Sequence, residues 1–212
     1  MSGLNAAWRE VRQVVLGLVV AALVGLVTRR RGVTWLSLAG LGWVVYFFRD
    51  PDRRPELVAP GLILSPADGR VMSIDPIEEP EWISGRAWQV SIFLSLFDVH
   101  VQRAPCRGQV QDVRYTAGSF APAFLRHADS NEANTIVLQT PYGPMVVRQM
   151  AGLLARRIVC RVVPGQTLEA GERLGLIKFG SRVDLLLPEN AQILVRQGER
   201  VFGGQTVIAR ME

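Results

Sequence analysis

Two cysteines, two histidines and one lysine are all that the 212 residues offer of the side chains that most often bridge chains, bind metals or carry prosthetic groups. Cys106 and Cys160 are too few for a disulfide scaffold or a zinc site, so no metal is expected and both read as buried thiols suited to a reducing compartment. Lys178, the sole lysine among 24 basic residues, sits in an apolar strand-like run. A carrier lysine sits at a tight hairpin tip, so Lys178 reads as a snorkelling strand residue with at most a minor local role. Net charge is also missing from most of the chain. Residues 1–54 hold eight arginines against Glu10, Asp50 and Asp52, which accounts for the whole formal charge of +5. Residues 55–212 are neutral, which excludes the general electrostatic footprint of a nucleic-acid binder. No small-residue cleavage site follows the first apolar run, so a retained anchor is expected rather than a removable signal peptide.

Long charge-free runs are present. Val14–Val27 and Gly32–Phe48 contain no charged residue and are separated by Arg29, Arg30 and Arg31. The pattern predicts an N-terminal helical hairpin. At about 1.5 Å per residue the runs cover roughly 21 and 25 Å, short of a bilayer core of about 30 Å. Two tilted spans and a shallow re-entrant hairpin both remain open, with Trp35, Trp43, Tyr46, Phe47 and Phe48 as interfacial anchors. Core helices of a soluble protein are the alternative. Five arginines on the outer flanks, Arg9, Arg12, Arg49, Arg53 and Arg54, against three in the turn place the body on the cytoplasmic face of the cell membrane.

After Pro51 and Pro55 the texture changes to short β-branched runs punctuated by Gly and Pro: Leu62–Leu64, Arg70–Ile74, Trp88–Leu94, Gln109–Tyr115, Thr135–Thr140 and Met145–Met150. This predicts a mainly β body over 55–212, a barrel or sandwich following the anchoring hairpin of 1–54. VVPGQTLEAGERLGLI and LVRQGERVFGGQTVIA superpose, with Gly165 on Gly198, Leu168 on Val201, Gly171 on Gly204 and Leu174 on Val207. That repeat resembles the turns of lipoyl- and biotinyl-carrier barrels. The stretch GSFAPAFLRHADSNEAN, Gly118 to Asn134, has loop composition and borders a site on that ground.

LIKFGSRVDLLLP sets Gly180-Ser181 between two apolar runs, which anchors a bond in or beside a strand. A serine hydroxyl can attack the preceding carbonyl, and glycine leaves that carbonyl unhindered and tolerates unusual φ and ψ. Elimination from the resulting ester leaves dehydroalanine, which hydrolyses to a pyruvoyl group with release of ammonia. Alone, Gly-Ser is a common turn. Its context carries the reading.

FGSRVDLLLP resembles the cleavage segment of the short, archaeal-like form of phosphatidylserine decarboxylase proenzymes. LSPADGRV (Leu64–Val71), FDVHVQRAPCRG (Phe97–Gly108) and AGLLARRIV (Ala151–Val159) are similar to three further segments of that family, so the resemblance covers residues 55–190. It implies self-cleavage between Gly180 and Ser181 into residues 1–180, the β chain, and 181–212, the α chain. It further implies a covalent pyruvoyl cofactor derived from Ser181, which decarboxylates phosphatidylserine to phosphatidylethanolamine through a Schiff base. By the same resemblance Asp68 helps activate Ser181, and His100 matches a histidine associated with decarboxylation. The longer bacterial form has a second histidine where this chain has Arg103, so His100 is left to serve as base before cleavage and as proton donor afterwards. His127 lies outside the matched segments. Arg103, Arg156 and Arg157 are candidates for the lipid phosphate. The expected partners are phosphatidylserine, membrane lipid and the chain's own two cleaved pieces. Oligomeric state is open. Two other classes compete: a non-enzymatic membrane-anchored adaptor on a carrier-like barrel, which leaves Asp68 and His100 unexplained, and a pyruvoyl decarboxylase of a soluble amino acid, against which the hairpin argues.

Overall fold

The computed structural model describes residues 4–53, 55, 59–122, 130–153, 158–178 and 180–211, with side chains from residue 11 onward. The chain divides into two compact units, Met1–Asp52 and Arg53–Glu212.

The first unit holds two helices, α1 (Leu4–Val27) and α2 (Arg31–Phe47). They are joined by a short turn in which Arg29 takes φ +55°. Small residues let the helices approach, because a Cβ on Gly40 would meet Leu18 Cδ2 at 3.3 Å, and one on Gly25 would meet Thr34 Oγ1 at 2.7 Å. The predicted helical hairpin is therefore present. Its apolar side chains face outward, with Val27 81% exposed, Leu36 77% and Trp35 70%. Among the described residues, no helix is long and apolar enough to cross a membrane.

The second unit is mainly β, and all its named strand pairs are antiparallel. The strands are β1 (Leu62–Leu64), β2 (Gly69–Glu79), β3 (Gly85–Leu94), β4 (Val101–Arg103), β5 (Gly108–Thr116), β6 (Ala133–Thr140) and β7 (Gly143–Met150). They continue with β8 (Ile158–Cys160), β9 (Thr167–Leu168), β10 (Arg173–Ile177), β11 (Ser181–Pro188), β12 (Gln192–Ile193), β13 (Arg200–Val201) and β14 (Val207–Arg210). Each β-branched run singled out in the sequence is a strand. β2 runs on past Ile74 through Pro76, which is tolerated because its outer neighbour β13 pairs only with Gly69 and Arg70 and leaves the rest an open edge.

One eight-stranded sheet has the order β13-β2-β3-β11-β7-β6-β5-β9, and two three-stranded sheets have the orders β1-β14-β12 and β4-β10-β8. β11 lies centrally between β3 and β7. Alternation along it sends Val183, Leu185 and Leu187 into the main core with Ile92, Ile136, Val147 and Leu174. Leu186 faces the other side, against Val137 and Val146.

The C-terminal repeat extends further than its two glycine-bracketed halves. Each half is clasped by its own earlier segment through matching backbone bonds. Val71 N–H donates to Glu199 O as Val110 N–H does to Gln166 O, and Gly204 N–H donates to Ser65 O as Gly171 N–H does to Ala104 O. The two clasped segments also exchange bonds, Leu64 N–H to Pro105 O at 2.7 Å and Arg103 N–H to Pro66 O at 2.8 Å. PADGRV (66–71) and PCRGQV (105–110) are thus equivalent pieces of backbone. Asp68 and Arg107 occupy the same position in the two copies.

Candidate active site

β10 belongs to one sheet and β11 to another, and the chain crosses between them in three residues, Lys178 to Gly180. Both sides of this crossover are anchored. β10 pairs with β4 and β8, while Ser181 opens β11 opposite Leu94 of β3, with Arg182 opposite Met150 of β7.

Gly180 has φ +61°, in the left-handed region where an L side chain costs about 1–2 kcal/mol. Space is not the reason for glycine, since a Cβ would meet only Leu96 Cδ2, at 4.0 Å. Ser181 is fully buried on the core face of β11, two residues before Val183. Its hydroxyl has no hydrogen-bond partner among the described residues. Leaving a buried hydroxyl unmade costs about 1–3 kcal/mol, so the position is unfavourable for a structural serine and natural for a reacting one.

His100 reaches this crossover from the end of β4. The register Leu176 to Val101 continues to a bond from Ile177 N–H to His100 O, which sets His100 beside the end of β10. The ring is buried. Its Nδ1 lies 2.9 Å from Asp98 O, and its Nε2 lies 3.2 Å from Gly180 N. A carbonyl can only accept and an amide N–H can only donate, so these partners assign the proton to Nδ1 and leave the basic lone pair of Nε2 toward Gly180. His100 and Gly180 are therefore brought together.

Asp68 is placed differently. It is buried in the turn before β2, and its carboxylate accepts two bonds from Arg53, one to Oδ1 and one to Oδ2 at 2.6 Å, plus Gly203 N–H at 2.9 Å. The Arg53 side chain is only 9% exposed and also donates to Gly203 O at 3.1 Å. Ser181 is not among the partners of Asp68 in the uncut chain. Arg103 points to the repeat turns, donating to Gly171 O at 3.1 Å beside Gly204. Arg156, Arg157 and His127 lie outside the described residues.

Several site-building residues are not marked in the sequence. Asp98 ties the loop before His100, accepting from Ser95 N–H and Oγ at 2.8 and 2.6 Å and from Arg200 at 2.7 Å. Asn131 joins the two ends of the long loop to the end of β7, bonding Ala121 N–H and O and donating to Ala151 O, each at 2.8 Å. Arg182 and Asp184 form a buried two-bond ion pair along β11 at 2.7 and 2.8 Å. Ionic neighbours two residues apart share one strand face, a signal that was available in RVD. Among the described residues no cluster of His, Cys, Asp and Glu could hold a metal. Burial pushes the Cys106 thiol up to about 12, partly opposed by a hydrogen bond with Thr140, so it is protonated at neutral pH and is no nucleophile.

The model of the phosphatidylserine decarboxylase family matches residues 41–209. The chain is 49% identical over 173 residues to a phosphatidylserine decarboxylase proenzyme of Carboxydothermus hydrogenoformans, with 80% of each chain covered. It is 48% identical over 198 residues to the proenzyme of that name from Symbiobacterium thermophilum, covering 91% of this chain and 92% of the relative. For the one from Gluconacetobacter diazotrophicus the identity is 46% over 199 residues, covering 90% and 88%.

Proposed function

The chain belongs to the phosphatidylserine decarboxylase family, and from that premise we propose that it is a carboxy-lyase that cuts itself at Gly180-Ser181 and converts phosphatidylserine to phosphatidylethanolamine. One observation carries the proposal of the cut: a buried Ser181 hydroxyl, without a partner among the described residues, follows a left-handed Gly180 whose amide is held by His100 Nε2.

The self-cleavage follows from these groups. The Ser181 hydroxyl gives up its proton, for which His100 Nε2 is the candidate base once it releases Gly180 N–H, and Oγ bonds to the Gly180 carbonyl carbon. The peptide C–N bond breaks, the nitrogen takes a proton, and an ester joins the two residues. Removal of the Ser181 Cα proton then breaks the Cβ–Oγ bond. Gly180 departs as a carboxylate and residue 181 becomes dehydroalanine, whose enamine tautomerises and is hydrolysed to a pyruvoyl group and ammonia. Arg53 and Gly203 occupy the Asp68 carboxylate in the uncut chain, so any part Asp68 takes in activation begins with a change of partners.

The residues present fit such a group. It would sit at the start of β11, fixed opposite Leu94 and walled by the apolar face that leaves Ser181 without a partner. Once formed, its ketone supplies the electron sink for loss of carbon dioxide. His100, beside the same chain end, is the candidate donor of the proton that replaces the carboxylate. The 181–212 piece stays bound after the cut because β11 pairs with β3 and β7, and β14 with β1, all in residues 1–180. Arg103, Arg156 and Arg157 remain the proposed phosphate ligands. The outward apolar side chains of α1 and α2 support a membrane-resting hairpin that keeps the enzyme at its lipid substrate, on the cytoplasmic side by the arginine count.

Supplying the purified protein with phosphatidylserine in mixed micelles, and in a parallel arm with free serine, tests the substrate. Phosphatidylethanolamine from the first arm alone is expected. Ethanolamine from the second, with no lipid product from the first, would overturn the proposal.

A further inference from the structure

Three buried side-chain amides that the proposed chemistry does not use form a directed chain ending on the carbonyl of His100. Asn134 Nδ2 on β6 donates to Gln149 Oε1 on β7 at 2.9 Å, Gln149 Nε2 donates to Gln102 Oε1 on β4 at 2.8 Å, and Gln102 Nε2 donates to His100 O at 2.9 Å. Both glutamines are 0% exposed. Asn134 and Gln149 share their strand faces with Ile136 and Val147 of the main core, so the amides lie where apolar side chains would otherwise pack. Each amide donates to the next and the last donates to a carbonyl, so the chain has one direction and His100 is its terminus.

The two ends belong to different sheets. Gln149 is in the eight-stranded sheet, opposite Val183 and one same-face position from Ser181, whereas Gln102 is in the β4-β10-β8 sheet that delivers His100 and Gly180. The Gln102–Gln149 bond therefore spans the gap that the scissile linker spans covalently. Close packing is required there: a Cβ on Gly175, on the neighbouring β10, would come within 3.2 Å of Gln149 Nε2. When the Gly180-Ser181 bond is cut, the covalent link between β10 and β11 is gone, and the amide pair still joins the two sheets.

We infer that Gln102 and Gln149 are positioning residues: they hold His100 in register with the residue-181 chain end, during self-cleavage and in the processed enzyme. The inference rests on the self-cleavage proposed above. Removing one amide leaves its partner buried and unsatisfied, whereas replacing both with apolar groups of similar size is close to neutral for stability. Gln102→Leu and Gln149→Leu singly are expected to lower the melting temperature and to slow processing. The double variant Q102L/Q149L is expected to regain most of the lost melting temperature, the remainder being the cost of Asn134 Nδ2, which loses its acceptor, while its processing, followed by intact mass, stays at least tenfold slow. Its processed fraction should show a lowered kcat with KM unchanged and an altered pH profile, none of which a packing role alone would move. Should the leucines fail to pack, Q102M/Q149M, matched to the amides in length and flexibility, gives the same reading. A folded double variant that processes and turns over at the parental rate with the parental pH profile would overturn the inference. If the parental protein itself shows no cut, the failure belongs to the proposed function instead.

Discussion

The two copies of the repeat share backbone bonds, turn glycines and buried apolar positions, yet their chemistry differs. In one copy the residue just before the repeated glycine is Asp68, buried and bound by Arg53 and Gly203. In the other it is Arg107, exposed and paired with exposed Glu169 at 3.4 Å. The strands that follow also diverge. β10 leads through Gly180 into the centre of the large sheet, whereas β14 pairs with β1 and β12 and leads to the end of the chain. Symmetric backbone thus supplies two stable clasps. The two asymmetries fall on different clasps: buried Asp68 lies in the copy that ends in β14, whereas the scissile bond follows β10 of the copy that holds Arg107.

Four substitutions probe these asymmetries. The largest effect is expected from Ser181→Ala, which removes the attacking oxygen: one uncut chain and loss of decarboxylation, with stability kept or raised because an unsatisfied buried hydroxyl is gone. Persistent cleavage at this bond would contradict the nucleophile. Next, His100→Ala removes the imidazole held at Gly180 and should slow processing by about 10²–10⁴-fold, the range for loss of a general base, measured by the appearance of the two pieces over time. Within the uncut Ser181→Ala background, Arg53→Met leaves the Asp68 carboxylate buried and uncompensated. The expected cost is about 3–5 kcal/mol, a fall of roughly 10 °C in melting temperature. Arg107→Ala in the equivalent place breaks an exposed pair and should change stability by less than about 1 kcal/mol. Equal losses from the last two would show that burial of Asp68 does not distinguish the copies.

Much of this was legible in the sequence. β-branched runs bounded by Gly and Pro marked six strands, because alternation and turn chemistry are local. The paired glycines of the C-terminal repeat were visible for the same reason. The earlier half of each copy was not, since PADGRV and PCRGQV share only Pro, Gly and Val, and their equivalence lies in backbone bonds to segments distant in the chain, Val71 to Glu199 in one copy and Val110 to Gln166 in the other. His100 stood out through its motif, but its contact with Gly180 depends on the β4-β10 register. Arg53 read as one basic flank of an apolar hairpin, and nothing local announced its bond to a buried aspartate. The amide chain has no periodicity at all, since Gln102, Asn134 and Gln149 sit on three strands and become a unit only when two sheets face each other. In the helical unit the apolar runs were plain, and their outward orientation was the new information: Val27 and Leu36 are more exposed than any large apolar side chain among the described residues of the β unit.

The central claim is that the bond between Gly180 and Ser181 breaks by its own serine. Intact mass analysis of the purified protein addresses it directly. The account predicts two pieces, residues 1–180 ending in a free carboxylate and a 181–212 piece beginning in a pyruvoyl group, whose missing amine blocks sequencing from that end. A single chain of 212 residues in a preparation that decarboxylates phosphatidylserine would contradict it.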